Sequence, residues 1–167
     1  MNKSFLCKII VFSLLLVASG CTSVIGKRSY AINPEDYSER IRVACVGDSI
    51  TYGAGIKDRK NYNYPLVLGK SLGEKFEVRN FGVSGATMLK KGDYSYWERP
   101  AFKHATDFNP HVVVIKLGTN DTKPQNWKYS EEYVSDYEAM IDHFSSLPSK
   151  PKIWLCSPAP VYQTRWG

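Results

Sequence analysis

Four short apolar segments recur along the chain, and each is rich in valine, isoleucine or other large apolar residues. Their apolar positions do not follow the strict alternation of a strand that keeps one face in water. Runs of this length and composition are typical of strands that are buried on both faces, as in a parallel sheet. The predicted strands are Ile41 to Val46, Phe76 to Phe81, Val112 to Leu117 and Lys152 to Cys156.

Between the predicted strands lie segments in which apolar residues recur at helical spacing. Tyr64 to Leu72 has this spacing, and Tyr96 to Phe108 fits it only in part. Ser130 to Leu147 carries the clearest apolar stripe, with Ser130 as its predicted N-cap. Alternating strands and helices predict an α/β domain. We expect a three-layer α/β/α sandwich with a parallel, flavodoxin-like sheet in the strand order 2-1-3-4.

The first 20 residues have the pattern of an export signal, and we set them apart from the fold. Lys3 and Lys8 form a basic start, and Ile9 to Ala18 forms an apolar core that is too short to span a membrane. The small residues that then run into Cys21 resemble the lipobox of bacterial lipoproteins, in which the cysteine carries the lipid. An ordinary secretory signal or a short anchor is the alternative. The predicted regions are a signal peptide (1–20), a tether with the loop into the first strand (21–40) and the domain (41–167).

Composition narrows the classes of partner. The formal net charge of +6 falls to +4 when the two lysines of the signal are subtracted, and the remaining basic residues are scattered among acidic ones. This distribution argues against nucleic acid as a partner. Cys45 and Cys156 lie in predicted strands that a third strand separates, so we predict two reduced thiols and no disulfide. No CxxC motif or His/Cys cluster indicates a metal, and no cofactor is predicted.

The predicted carboxyl ends of three strands carry the residues of chemical interest. These motifs are Gly47-Asp48-Ser49-Ile50-Thr51, Asn80-Phe81-Gly82-Val83-Ser84-Gly85 and Gly118-Thr119-Asn120-Asp121. In an open parallel sheet these ends share one edge, where ligands bind. Acyl transfer needs a nucleophile and hydrogen-bond donors for the oxyanion, and Ser49, Gly82 and Asn120 supply both. A turn or capping role for Ser49 is the alternative.

In this order and at these strand ends, the three motifs resemble those of the SGNH, or GDSL-type, hydrolase family of esterases. The motifs cover residues 41 to about 121, and the strand and helix pattern extends the likeness to the end of the chain. The resemblance implies an SGNH hydrolase fold and an ester substrate. It implies Ser49 as the nucleophile, and Gly82 and Asn120 as oxyanion donors together with the N–H of Ser49.

The fourth motif of that family, an Asp-x-x-His that supplies the general base and its carboxylate, does not occur in this sequence. His104 and His111 flank the predicted Val112 strand on its amino side, and His143 lies on the long predicted helix. We therefore predict surface or packing roles for all three histidines. The chain also ends soon after its fourth predicted strand. We expect the last strand and helix, with the catalytic His and Asp, to lie beyond Gly167.

Other motifs give weaker alternatives. Ser84 lies in a segment near the G-x-S-x-G pattern but without its second glycine, so it is a poor rival to Ser49. A segment that begins Gly53-Ala54-Gly55 has Asp58 where a dinucleotide fingerprint has its third glycine, so nucleotide binding is not predicted. Asp48 and Asp121 are expected to order their loops through local hydrogen bonds.

Aromatic residues around the motifs suggest a class of substrate. Flat rings in loops are suited to stack on sugar faces, although core packing explains several of them equally well. With these rings and the export signal, the chain most resembles the carbohydrate O-acetylesterases of the family, which implies a lipid-anchored esterase, exported to the periplasm or cell surface, that acts on O-acetylated carbohydrates of the sialate or xylan type. The alternatives are a non-catalytic carbohydrate-binding or surface protein and an acyl hydrolase of the lysophospholipase or thioesterase type. The aromatic residues concerned are Tyr52, Tyr62, Tyr64, Tyr94, Tyr96, Trp97 and Trp127.

Overall fold

A parallel sheet forms the centre of the domain in the computed structural model, which describes residues 31–159. Strand β1 (Ile41–Gly47) lies between β2 (Phe76–Gly82) and β3 (Val112–Lys116), and β4 (Lys152–Leu155) pairs with β3. The order is β2-β1-β3-β4, and every pair is parallel. The predicted strand order and α/β class are confirmed, and each predicted strand boundary agrees to within one residue.

Helices of very different length connect the strands within residues 31–159. The three longer helices cover the sheet, while the short helices and turns lie mainly near the carboxyl ends of the strands. The helices are α1 (Ser49–Tyr52), α2 (Arg59–Tyr62), α3 (Tyr64–Leu72), α4 (Pro100–Asp107), α5 (Pro124–Trp127) and α6 (Tyr133–Ser145). Four 3-10 turns are formed by Pro34–Asp36, Tyr96–Glu98, Asn120–Thr122 and Ser130–Glu132.

The two central strands, β1 and β3, are largely buried on both faces, and successive side chains of each strand point to opposite sides of the sheet. On one face, Ile41, Val43 and Cys45 pack with Tyr64 and Leu68 of α3. Because both faces of β1 are covered, its sequence does not alternate between apolar and polar residues. The helix on this face supplies one outer layer of the predicted sandwich.

The opposite face carries the larger core. Val46 and Ile115 pack there against Ala105 of α4 and against Met140 and Phe144 of α6. Two helices therefore supply the second outer layer, and the predicted three-layer arrangement is confirmed. The stripe read from the sequence of α6 is the face that this helix buries.

Two helix predictions need correction. The segment predicted from Tyr96 to Phe108 is broken, because Arg99 has an extended backbone (φ −87°, ψ 143°) and Pro100 begins α4. The residue before a proline is disfavoured in the helical region, which explains the break. Ser130 is not the N-cap of α6, because it lies in a 3-10 turn and the helix begins at Tyr133.

Residues 31–40 pack against the sheet. Ile32 and Tyr37 pack against the buried side chains on the α3 side of the sheet. Lys75 Nζ donates to the carbonyl oxygen of Tyr37 at 2.6 Å. The segment predicted to lead into the first strand thus forms part of the compact unit that begins at Ala31. The predicted signal peptide and the lipid site at Cys21 lie outside the described residues.

Both strand cysteines are free, as predicted. Cys45 is fully buried, and burial raises the pKa of its thiol to about 12, so it packs as a neutral apolar group. Residues 31–159 contain no group of three or more His, Cys, Asp or Glu side chains placed to hold a metal ion. No helix in the same range combines the length and apolar character needed to cross a bilayer.

His143 joins α6 to α4 across the larger core. Its Nε2 lies 2.8 Å from Thr106 Oγ1, and its ring centroid lies 4.5 Å from that of Phe102. Burial among these groups lowers the pKa of His143 below its usual value of about 6.5. The neutral imidazole is therefore the form that fits the folded protein.

The pKa of His143 leads to a prediction about stability. The unfolded chain binds a proton at His143 near pH 6.5 and the folded protein does so only at lower pH, so stability should fall as the pH drops from 7 to 5. His143→Gln should reduce this pH dependence, as measured by urea midpoints at several pH values. His104→Gln, on the outer part of α4, is the control. An unchanged pH dependence in His143→Gln would contradict the prediction.

Candidate active site

The three strand ends singled out in the sequence are neighbours in the sheet. Gly47, at the end of β1, pairs with Gly82 of β2 on one side and with Lys116 of β3 on the other. The ladder continues into the loops, since the N–H of Val83 donates to Gly47 O at 2.9 Å. The loops that carry the three motifs therefore leave the sheet side by side.

Ser49 is the first residue of α1, immediately after β1. The preceding residue, Asp48, is the N-cap, because its side chain accepts a hydrogen bond from the N–H of Ile50 at 2.9 Å. Ser49 is half-buried, and within the described residues neither its hydroxyl nor its own N–H makes a hydrogen bond. Capping is therefore the role of Asp48, and Ser49 presents a hydroxyl and an N–H with no partner.

The backbone N–H of Gly82, in contrast to that of Ser49, already makes a hydrogen bond. It donates to Asn80 Oδ1 at 2.8 Å, and the amide of Asn80 in turn donates to Thr51 O at 2.7 Å. A side chain at Gly82 would collide with the backbone of Thr51 and Tyr52. Glycine is thus required here for the close approach of β2 to α1. The predicted role of Gly82 as an oxyanion donor is revised, because its N–H already has an acceptor.

Gly85, three residues later in the same motif, offers a backbone N–H as a candidate oxyanion donor. It lies in the turn Val83 to Ala86, which is closed by a hydrogen bond from the N–H of Ala86 to Val83 O at 3.1 Å. Its φ of +85° is the conformation that the third position of a type II turn requires. Within the described residues the N–H of Gly85 makes no hydrogen bond. The Ser-Gly pair after a strand was a signal for this turn, but the pattern did not show which N–H remains unpaired.

Asn120 follows β3 and is tied to the same turn. Its Nδ2 donates to Ala86 O at 3.0 Å, and the side chain is largely buried. An amide nitrogen has two hydrogens, so one remains for another acceptor. The bond to Ala86 places this remaining donor one residue from Gly85. Asn120, Gly85 and Ser49 therefore belong to one edge of the sheet.

Asp121 joins the loop after β3 to the loop after β2. Its carboxylate accepts hydrogen bonds from the N–H groups of Met88 at 3.0 Å and Leu89 at 2.7 Å. Asp121 is fully buried, and burial raises its pKa, while these two N–H groups oppose the shift. Asp48 does order its loop locally, as predicted. For Asp121 that prediction is wrong, because its partners lie more than 30 residues away in the sequence.

Asn126 is a positioning residue that the sequence did not reveal. It is fully buried on α5, and its Nδ2 donates to Asn120 O at 2.9 Å and to Asp93 Oδ1 at 3.0 Å. Its Oδ1 accepts from the N–H of Asp93 at 2.8 Å. Since one partner is 33 residues away, no local motif marks this asparagine. It fixes the segment around Asp93 relative to Asn120.

None of the three histidines lies among these loops. His104 belongs to α4, and His143 bonds to Thr106 in the helical layer. His111 directly precedes β3, at the opposite edge of the sheet, where its Nδ1 accepts from the N–H of Arg42 at 3.1 Å. Burial, together with the Arg42 guanidinium, lowers the pKa of His111. The predicted packing roles fit these contacts.

The aromatic residues near the motifs divide into two groups. Tyr96 is fully buried, Trp97 donates from its ring nitrogen to Met88 O at 2.9 Å, and Tyr64, the first residue of α3, packs on the buried side chains of β1, so these three are packing residues. The exposed members are Tyr52, Tyr62, Tyr94 and Trp127.

Two surface grooves lie beside helices that cover the sheet. One, of about 390 Å³, lies between α6 and β4 and includes Tyr137 and the exposed Leu155. The other, of about 370 Å³, lies between α3 and β2. Neither is lined by Ser49, Gly85 or Asn120, although the first groove reaches the carboxyl end of β4, where Tyr133 and Pro158 lie against Gly118.

Comparison with known proteins places this arrangement in a family. A profile of the GDSL-like lipase/acylhydrolase family matches residues 45–167. An acetylxylan esterase of Xylanibacter ruminicola is 45% identical over 151 residues, which cover 80% of this chain and 32% of that protein. The chain thus spans about a third of the length of that relative.

The fold is similar to those of solved esterase structures. A carbohydrate acetylesterase family member from Sinorhizobium meliloti has a TM-score of 0.55 and 25% identity over 73% of this chain and 64% of that one. AlinE4, an SGNH-hydrolase family esterase, has a TM-score of 0.51 and 23% identity over 71% of this chain and 59% of that one. The second likeness confirms the predicted SGNH hydrolase fold. Because the family profile covers most of its length, the chain belongs to the GDSL-like lipase/acylhydrolase family.

Proposed function

We propose that the protein containing this chain is a serine esterase that removes acetyl groups from carbohydrates. The observation that carries the proposal is the hydroxyl of Ser49, which has no hydrogen-bond partner among residues 31–159 and lies at the same sheet edge as the donors of Gly85 and Asn120. Family membership supports the esterase chemistry. The names of the acetylxylan esterase and of the carbohydrate acetylesterase family member support the class of substrate.

In the proposed reaction, Ser49 Oγ attacks the carbonyl carbon of the acetyl ester. Negative charge develops on the carbonyl oxygen, which receives hydrogen bonds from the N–H of Ser49, the N–H of Gly85 and the remaining amide hydrogen of Asn120. These groups are held before substrate binds, so little reorganisation is needed when the charge forms. Gly85 takes the role that the sequence suggested for Gly82.

The tetrahedral intermediate collapses when the bond between the acyl carbon and the sugar oxygen breaks. The sugar oxygen leaves with a proton, and the acetyl group remains on Ser49 until water releases it as acetate. A base must take the proton of Ser49 and return it to the leaving oxygen. His104, His111 and His143 all lie away from the loops that carry Ser49, Gly85 and Asn120. We therefore propose that this base is a histidine outside the 167 residues of this sequence. Export and lipidation at Cys21 remain predictions, and they fit a substrate outside the cell.

Ser49→Ala in the full-length protein should lower kcat for p-nitrophenyl acetate by at least about a thousand-fold, since Ser49 is the proposed carrier of the acyl intermediate. Initial rates measure the effect. Ser84→Ala is the matched control, because Ser84 lies in the exposed turn beside Gly85 and is the rival serine of the sequence. It should retain activity.

The outcomes separate the alternatives. Loss of activity in Ser84→Ala but not in Ser49→Ala would contradict the assigned nucleophile. Glycan binding by an unaltered protein that turns over no ester would favour the non-catalytic carbohydrate-binding protein. Faster hydrolysis of long-chain than of acetyl esters would favour a lipid acyl hydrolase.

Asn120→Ala should lower kcat by about a hundred-fold or more, as is typical when one oxyanion donor is lost. KM should change less, because the donor acts mainly on the charge of the transition state. Asn61→Ala is the control, since Asn61 is an exposed asparagine that bonds only to Asp58 through its side chain. An unchanged kcat in Asn120→Ala would remove Asn120 from the oxyanion site.

A further inference from the structure

Tyr94 is the aromatic residue that lies against the proposed oxyanion turn. A carbon attached to Gly85 at the position of a Cβ would be 3.8 Å from Tyr94 Cδ1, and within the described residues no other non-adjacent atom lies within 4 Å of that point. The tyrosine is 42% exposed, so the ring has one part against the turn and another part open to a ligand.

The backbone of Tyr94 is fixed relative to the site. Its carbonyl oxygen accepts the N–H of Thr87 at 3.0 Å, which joins it to the segment that follows Gly85. The adjacent Asp93 is held by Asn126, which also bonds to Asn120 O. The tyrosine is thus connected through hydrogen bonds to both proposed oxyanion loops.

Arg99 supports the ring of Tyr94. Its guanidinium carbon lies 4.3 Å from the ring centroid, at a distance typical of a cation–π contact. The guanidinium is itself anchored by Ser95 O at 3.1 Å and by Glu98 at 3.2 Å. A ring that is held in this way loses little conformational entropy when a ligand stacks on it.

We propose that Tyr94 is a stacking platform for the sugar ring that carries the acetyl ester. Pyranose rings present apolar C–H faces that pack on aromatic rings, and a tyrosine beside the oxyanion turn would align the ester carbonyl with Gly85. This inference rests on the proposed function. It makes Tyr94 the residue that distinguishes a sugar acetate from a simple acetate ester.

The other exposed aromatic residues have contacts of a different kind. Trp127 packs on Tyr133 with a centroid distance of 6.1 Å, and Tyr52 lies beneath the guanidinium of Arg59 at 4.0 Å. Tyr62, on α2, has Lys70 Nζ 5.9 Å from its ring and is 63% exposed. None of these described residues has an atom within 4 Å of the position that a Cβ would take at Gly85. Tyr62 therefore offers a matched tyrosine with a cation near its ring and no link to the turn.

The test compares two substrates in the full-length protein. Tyr94→Ala should lower the ratio of kcat/KM for acetylated xylo-oligosaccharides to kcat/KM for p-nitrophenyl acetate by about five- to ten-fold, the loss expected for one aromatic stack. The loss should appear mainly as a higher KM for the sugar ester. Tyr94→Phe should restore the ratio, and Tyr62→Ala should change it less than about two-fold.

A binding measurement keeps the test independent of turnover. In a Ser49→Ala background, calorimetry with acetylated xylo-oligosaccharides should give a Kd that rises about five- to ten-fold on Tyr94→Ala and not on Tyr62→Ala. An unchanged Kd and an unchanged ratio would overturn the platform, and so would an equal loss for both esters. An unaltered protein that hydrolyses neither ester would contradict the proposed function, while the Kd series would still decide the role of Tyr94.

Discussion

The hydrogen bonds of the Asp121 carboxylate hold together the two loops on which the candidate site depends. The carboxylate lies beneath the loops, buried, and accepts the N–H groups of Met88 and Leu89. Hydrogen bonds to a charged group contribute about 1.5–3 kcal/mol each, and a buried carboxylate without them would be strongly unfavourable. Because Asn120 precedes Asp121 and bonds to Ala86, the same contact sets where the amide of Asn120 meets the turn of Gly85.

The parallel sheet supplies the second constraint. It brings the ends of three strands to one edge, but the space between β1, β2 and α1 is so small that only glycine fits at Gly82. Two glycines of one motif therefore have different roles. Gly82 allows the backbones to approach, and its N–H is occupied by Asn80. Gly85 supplies a positive φ for the turn, and its N–H makes no hydrogen bond to any residue that the structure describes.

The described residues of the candidate site supply several hydrogen-bond donors, but none of the described histidines is placed to accept the proton of Ser49. These donors can stabilise an oxyanion, while His143 and His111 serve packing, with pKa values that burial lowers. In the proposed reaction, binding of the carbonyl and transfer of the proton are therefore separate tasks. The proposed stacking on the tyrosine beside Gly85 adds a third task, the orientation of the group that carries the ester.

The sequence by itself determined the four strands and the edge at which Ser49 and Asn120 lie, because apolar runs and strand-end residues are local signals. It also determined the strand order, because alternating strands and helices restrict the sheet to a few topologies. It could not show that Asn80 occupies the N–H of Gly82, that Asp121 and Asn126 join loops more than 30 residues apart, or that Tyr94 lies against Gly85 while Tyr96 is buried. Those facts depend on which side chains meet across the sheet edge. Only the tertiary structure decides such contacts, because they follow from packing between segments distant in sequence.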